Sequence, residues 1–244
     1  MAFSAFSLLI YLLGSMVFCL IAMIMLRSGA GFAAFSGVRK KDPVVPVAVF
    51  LFILAISTLI RFGGAPHLGQ PVKNVLDYSL AVLMAVVVVS ACLIRKDTIG
   101  SIGLSLRGAE NFVFFLMPAA ALMFFPGHFL NWNLIAESFS SPVAAYAFSE
   151  ELLIRGYLQT RLEKAYGGNT GLFAASAAYT LLQVPMAIGS LRPAALPAYL
   201  FGSFIIWGCL AGMIYKKAGN IYGLTLFKIF WDIALRAFGG IALG

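Results

Sequence analysis

Two adjacent carboxylates and an arginine stand in the run Phe148-Ser149-Glu150-Glu151-Leu152-Leu153-Ile154-Arg155-Gly156, inside a chain that otherwise reads as membrane-embedded. Ionisable groups at membrane depth are costly, so they turn toward a protein interior or a wet cavity and mark functional sites. Glu151 and Arg155 are four apart, share one helix face and can pair, which makes Glu151 a structural carboxylate. Glu150 is turned ~100° from that face and lacks that partner, so it is the carboxylate left for chemistry. Two later stretches carry polar residues at the same spacing: Tyr179 with Gln183, and Lys228 with Asp232. Lys228 falls midway along an apolar stretch, where an unpaired ammonium is hard to tolerate, so it must face something polar. Taken as residues alone, the pairs also fit a structural arrangement: a Lys228 to Asp232 ion pair, and a Gln183 bonded to a neighbouring helix. Buried Glu, Lys and Asp also suit an ion path through a carrier, although the chain shows neither an inverted repeat nor a pair of broken helices.

Helices must position these groups. With 61% hydrophobic and 11% charged residues in 244, and a mean hydropathy of +0.96, the chain lies far outside the soluble globular range. The fold class expected is all-α: a polytopic membrane protein of about eight transmembrane helices in one bundle, a single domain over residues 1–244. Apolar runs place the spans near Ser7 to Leu26, Val44 to Ile60, Val75 to Ile94, Phe112 to Phe125, Pro142 to Tyr166, Thr170 to Ile188, Leu196 to Tyr215 and Ile221 to Leu243. Met1 to Phe6 holds no Lys or Arg, so the first run is read as a retained span rather than a secretory signal. Ser141-Pro142 supplies a helix start and Gly167-Gly168 a helix stop, which sets the two carboxylates about two turns inside the fifth helix.

The net charge of +8 is explained by membrane topology rather than by nucleic acid, because the basic residues flank apolar spans. Arg27, Arg39, Lys40, Lys41, Arg95, Lys96, Arg107, Arg161, Lys164, Lys216 and Lys217 fall on one side, against Arg61, Lys73, Arg192 and Arg236 on the other. The positive-inside rule then turns both termini away from the cytoplasm and sets Glu150 and Glu151 in the outer half. Cys19, Cys92 and Cys209 all lie in apolar segments, with no disulfide framework or zinc spacing, and read as small buried hydrophobes. His67 and His128 fall in expected outer loops. No cofactor and no metal is expected, since no two histidines sit at ligand spacing. Gly208 and Gly212 form a small-x-x-x-small pattern for close helix packing. Asp77, one turn into the third span, reads as a satisfied polar group near the interface.

The run from Glu150 to Leu158 resembles the Glu-Glu-x-x-x-Arg motif of the CAAX protease and bacteriocin-processing family (CPBP, Abi), the Rce1-type glutamic intramembrane proteases. Ser176 to Gln183 is similar to that family's Phe-x-x-x-His segment, and Lys228-Ile-Phe-Trp-Asp232 to its closing His-x-x-x-Asn segment, preceded by the turn at Gly219. The likeness covers residues 142–232. It implies hydrolysis of a peptide bond in a membrane-associated or exported protein, with Glu150 as general base and Glu151 and Arg155 as its supporting pair. Tyr179 stands at the family's aromatic position, expected to border the substrate. Gln183 and Lys228 replace the family's two histidines, and Asp232 its asparagine. A glutamine can position a water but not take its proton, so proton transfer falls on Glu150. Lys228 can stabilise a developing oxyanion. Asp232 can pair with Lys228 or share a proton with Glu150. The alternative is a catalytically inactive relative in which Lys228 only neutralises the carboxylates and the protein binds or escorts partners. The partners expected are a protein or peptide substrate and the lipid bilayer, and the location a prokaryotic inner membrane.

Overall fold

The computed structural model describes residues 42–63, 68–105, 142–191 and 193–239, with Leu13, Met16, Val17 and Val38; side chains are described as far as residue 230, except at 70, 189 and 190. The expected spans at Ser7 to Leu26 (but for those three isolated residues) and Phe112 to Phe125, and His67, His128 and Cys19, lie outside this set.

Among the described residues every regular element is helical. Helix α1 (Val44–Gly63) begins where Asp42 Oδ1 accepts the Val44 N–H at 2.9 Å. Helix α2 (Gln70–Ile94) has proline in its first turn, and a short 3-10 turn, Ile99–Ile102, follows it. Helix α3 is one rod in three parts: Pro142–Glu151, a π-helical stretch Leu152–Gln159, and Thr160–Tyr166. It stops where Gly167 takes φ 89° and its N–H returns to the Glu163 carbonyl at 2.9 Å, a backbone conformation that L side chains resist. Helix α4 (Gly168–Ser190) turns straight back from that corner. Helix α5 repeats the three-part form of α3: Leu196–Gly202, a π stretch Ser203–Leu210, and Ala211–Ala218. Helix α6 (Tyr222–Gly239) closes the set.

Among the described residues, four helices are long and apolar enough to cross a membrane, in Val44–Gly63, Pro71–Ile94, Gly168–Ile188 and Leu196–Ala218. They coincide with the second, third, sixth and seventh expected spans. The fifth and eighth expected spans are also helical, but their ionisable residues set them apart. The residues from Leu152 to Glu163 are buried on every side of α3, so this charged helix is the axis and the apolar helices are its jacket. On α2 the exposed Val75, Val82, Val86 and Leu93 recur at helical spacing and form an outward apolar stripe.

Close approach is arranged by small residues. A methyl on Gly208 would press on Ser176 of α4, and one on Gly212 would overlap Leu172 and crowd Gln159 and Arg155, so the glycine pattern in α5 serves packing as its spacing predicts. Asp77 pairs with Arg61 across α1 and α2 at 2.9 Å, in agreement with a satisfied polar group.

Candidate active site

Three separated segments meet on one carboxylate. Glu150 is the last residue but one of the first α-helical part of α3 and is 4% exposed. The Gln183 amide of α4 donates to Glu150 Oε1, and Lys228 Nζ of α6 donates to Oε2 at 2.6 Å. The same ammonium lies 2.5 Å from Glu151 Oε1. Glu150 is therefore not the unpartnered carboxylate that helical rotation alone suggests. Rotation moves it off the Arg155 face of α3, and the face it reaches is covered by α4 and α6. The Lys228 ammonium thus meets two carboxylates from α3. Asp232 follows Lys228 on the backbone of α6, and its side chain lies outside the described set.

Aromatic rings seat the cation. Lys228 Nζ lies 4.7 Å from the centroid of the Tyr179 ring and 5.3 Å from that of Trp207. The negative faces of such rings attract a desolvated ammonium. Phe227 packs on the far side of Trp207, with ring centroids 5.5 Å apart. Tyr179 also lies under Arg155, at 5.4 Å. Buried at 4% exposure, it serves two cations at once.

Arg155 forms the predicted pair with Glu151, Nε to Oε2 at 3.5 Å, with both side chains buried. Its Nη2 donates to the backbone carbonyl of Trp207, a contact supplied by an irregularity in α5. The Ala211 N–H bonds the carbonyls of Ile206 and Gly208 and passes over that of Trp207, which is left to accept from the guanidinium. Such π-helical departures gather at functional sites, and here α3 and α5 each carry one beside the same arginine.

The polar line continues beyond the motif. Arg155 Nη1 donates to Gln159 Oε1 at 3.3 Å, and Gln159 Nε2 donates to Glu163 Oε1 at 2.8 Å and to the Gly212 carbonyl at 3.0 Å. Glu163 Oε2 then meets Lys216 at 3.3 Å. Gln159 and Glu163 extend the four-residue spacing of Glu151 and Arg155, a signal the sequence does carry. A second buried cluster lies toward the other end of α3. Arg161, 1% exposed, donates to Asp97 Oδ2 at 2.9 Å and Ser101 Oγ at 3.1 Å, while its guanidinium sits 4.2 Å over the Tyr157 ring. Arg95 joins Asp97 to Asp42 there. Sequence reasoning places Arg161 among the flanking cations; its burial depends on Asp97, whose approach no local spacing reveals.

Residues 132–234 match the family model of type II CAAX prenyl endopeptidase Rce1-like proteins. This segment of the chain is Rce1-like. The match encloses α3 to α5 and the Lys228 turn of α6, so the Rce1-like segment is the part of the chain that builds the Glu150 cluster. Rce1-like proteins are a protease family, and the match supports a peptidase at the level of that family. Comparison with curated proteins and with solved structures finds no match.

Proposed function

We propose that this protein is an intramembrane glutamic endopeptidase that hydrolyses a peptide bond of a membrane-associated or exported protein, such as a C-terminal sorting or anchor segment. One observation carries the reading: Gln183 and Lys228, at the positions that resemble the two later family motifs, bond opposite oxygens of Glu150. In this reading Glu150 and the carbonyl oxygen of Gln183 hold a water molecule. A carboxylate has lone pairs beyond those already engaged, and Gln183 keeps its acceptor. Glu150 takes one proton as the water oxygen adds to the scissile carbonyl carbon, and it returns that proton to the amine nitrogen as the C–N bond breaks. This gives a carboxylic acid and an amine that separate as carboxylate and ammonium once the acid's remaining proton passes to the amine. An ammonium has three donors. Lys228 directs two at Glu150 and Glu151, and the third serves the oxyanion, where a fixed charge in a dry site is most effective. Glu151 and Arg155 hold the frame. Tyr179 borders the ammonium, so a substrate carbonyl brought to Lys228 passes along its ring. Asp232, one turn beyond Lys228, is kept as the residue that answers its charge or shares a proton with Glu150.

A second reading is favoured by the closeness of Lys228 to both carboxylates: an inactive relative whose ammonium only neutralises them, and which binds partners without cutting. Co-expression with exported proteins bearing C-terminal anchors separates the two. Cleavage by the wild type and its loss in folded Glu150→Gln support the peptidase; capture of an uncut partner by both forms supports the binder.

The side of the membrane is part of the proposal. Arg95, Arg161, Lys164 and Lys216 make their contacts with Asp42, Asp97, Val38 and Gly168 respectively, away from the Glu150 end of α3. This grouping is consistent with a cytoplasmic face there and a site in the outer half. A cysteine-accessibility map that exposes positions around Glu150 to cytoplasmic reagents only would reverse the assignment.

A further inference from the structure

We propose that Gln159 is a positioning residue for the Glu150–Glu151–Lys228 cluster, acting through Arg155. The inference rests on the reading above for its kinetic test, but its geometry stands independently.

Glu151, Arg155, Gln159 and Glu163 follow one another at four-residue intervals along α3, and each touches the next. Gln159 is fully buried, so it cannot meet a substrate. Its amide has one orientation that satisfies its neighbours. Oxygen faces the Arg155 guanidinium, and nitrogen donates to both Glu163 and the Gly212 carbonyl. Reversal would set N–H against a guanidinium that has only donors, and oxygen against two acceptors. The residue is therefore clamped from three directions and transmits that order to Nη1 of Arg155. With Nη2 fixed on the Trp207 carbonyl, the guanidinium plane is set, and its Nε edge presents itself to Glu151 Oε2 at 3.5 Å. Glu151 in turn shares Lys228 with Glu150. The space for this arrangement comes from Gly212, where a methyl would stand 3.0 Å from Gln159 Oε1 and 3.3 Å from Arg155 Nη1.

The test compares Gln159→Leu with the exchange Gln159→Glu/Glu163→Gln, which keeps an acceptor for Arg155 and moves the amide donor one turn along, while giving up the donor to the Gly212 carbonyl. Two measurements are made on purified, folded protein: kcat and KM on an anchored exported protein that the wild type cleaves, and the infrared carboxylate stretch of Glu151, assigned by its loss in Glu151→Gln. Small misplacements of reacting groups cost up to about a hundredfold in rate. Gln159→Leu is expected to lower kcat by about 10- to 100-fold with KM within about twofold, and to shift the Glu151 band, while the exchange recovers both. Wild-type kcat and an unmoved band in folded Gln159→Leu overturn the proposal. A folded exchange variant that leaves the band displaced overturns it too. Should Gln159→Leu fail to fold, the band of the exchange variant decides in the same way. If the wild type cleaves nothing, the peptidase reading fails separately, and the Glu151 band still supports or overturns the positioning role.

Discussion

Replacing Lys228 with methionine removes the one charge that, among the described residues, touches both Glu150 and Glu151, while keeping most of the side-chain volume. Nζ lies 2.6 Å from Glu150 and 2.5 Å from Glu151, with side-chain exposures of 10%, 5% and 1% for the three residues. Breaking a buried ion pair from one side costs about 3–5 kcal/mol, because a charge is left without compensation. Here two carboxylates are affected, and among the described residues only Glu151 retains another cation in its ion pairs, Arg155 at 3.5 Å. Lys228→Met is therefore expected at the upper part of that range, about 4–5 kcal/mol, in equilibrium unfolding from mixed micelles. Adding Glu150→Gln removes the carboxylate that Lys228 leaves without a cation. Glu150→Gln/Lys228→Met should recover about 1–3 kcal/mol relative to Lys228→Met, within the range of coupling energies for residues in contact. Additivity of the two substitutions to within about 0.5 kcal/mol would refute the view that Lys228 is the counter-ion of this cluster.

Asp97→Asn should destabilise by about 3–5 kcal/mol, because it leaves buried Arg161 and neighbouring Arg95 without their shared carboxylate; the same unfolding measurement checks it. Gly156→Ala should cost about 1–3 kcal/mol by overpacking, since its methyl would run into the Ile102 backbone carbonyl, and the loss should appear as a lower melting temperature. Arg61→Met should change stability by no more than about 1 kcal/mol, because the Arg61–Asp77 pair is about one-fifth exposed at both side chains; a loss above about 3 kcal/mol would mark that pair as effectively buried.

The helical class and the bounds of α3 were legible because each has a local cause, whereas Gln183 and Lys228 were tied to Glu150 only through the family resemblance. Pro142 and Gly167 punctuate the chain, and four-residue spacing selects Glu151 with Arg155. What was not legible is who meets whom across helices. Lys228 and Asp232 are neighbours in sequence, and so suggest each other, but tertiary packing offers the ammonium two carboxylates from a helix nearly eighty positions earlier. Arg161 has the look of an interfacial cation because it follows the apolar run, and the carboxylate that balances its buried charge comes from the distant Asp97. Gln159 and Glu163 could have been found by carrying the Glu151 to Arg155 interval further along the same face.

The Trp207 carbonyl that holds Arg155 has a consequence for how this protein can vary. Its availability depends on the number of residues wound into the Ser203–Leu210 turns, since the Ala211 amide passes it over. Alanine substitutions there would report on the Trp207 ring and on the Gly208 contact with Ser176, but they leave the backbone oxygen in place and do not test its bond to Arg155. Deleting a single residue between Ser203 and Leu210 would instead let the ladder reclaim that oxygen and release the guanidinium. For this one contact, chain length matters where side-chain identity does not.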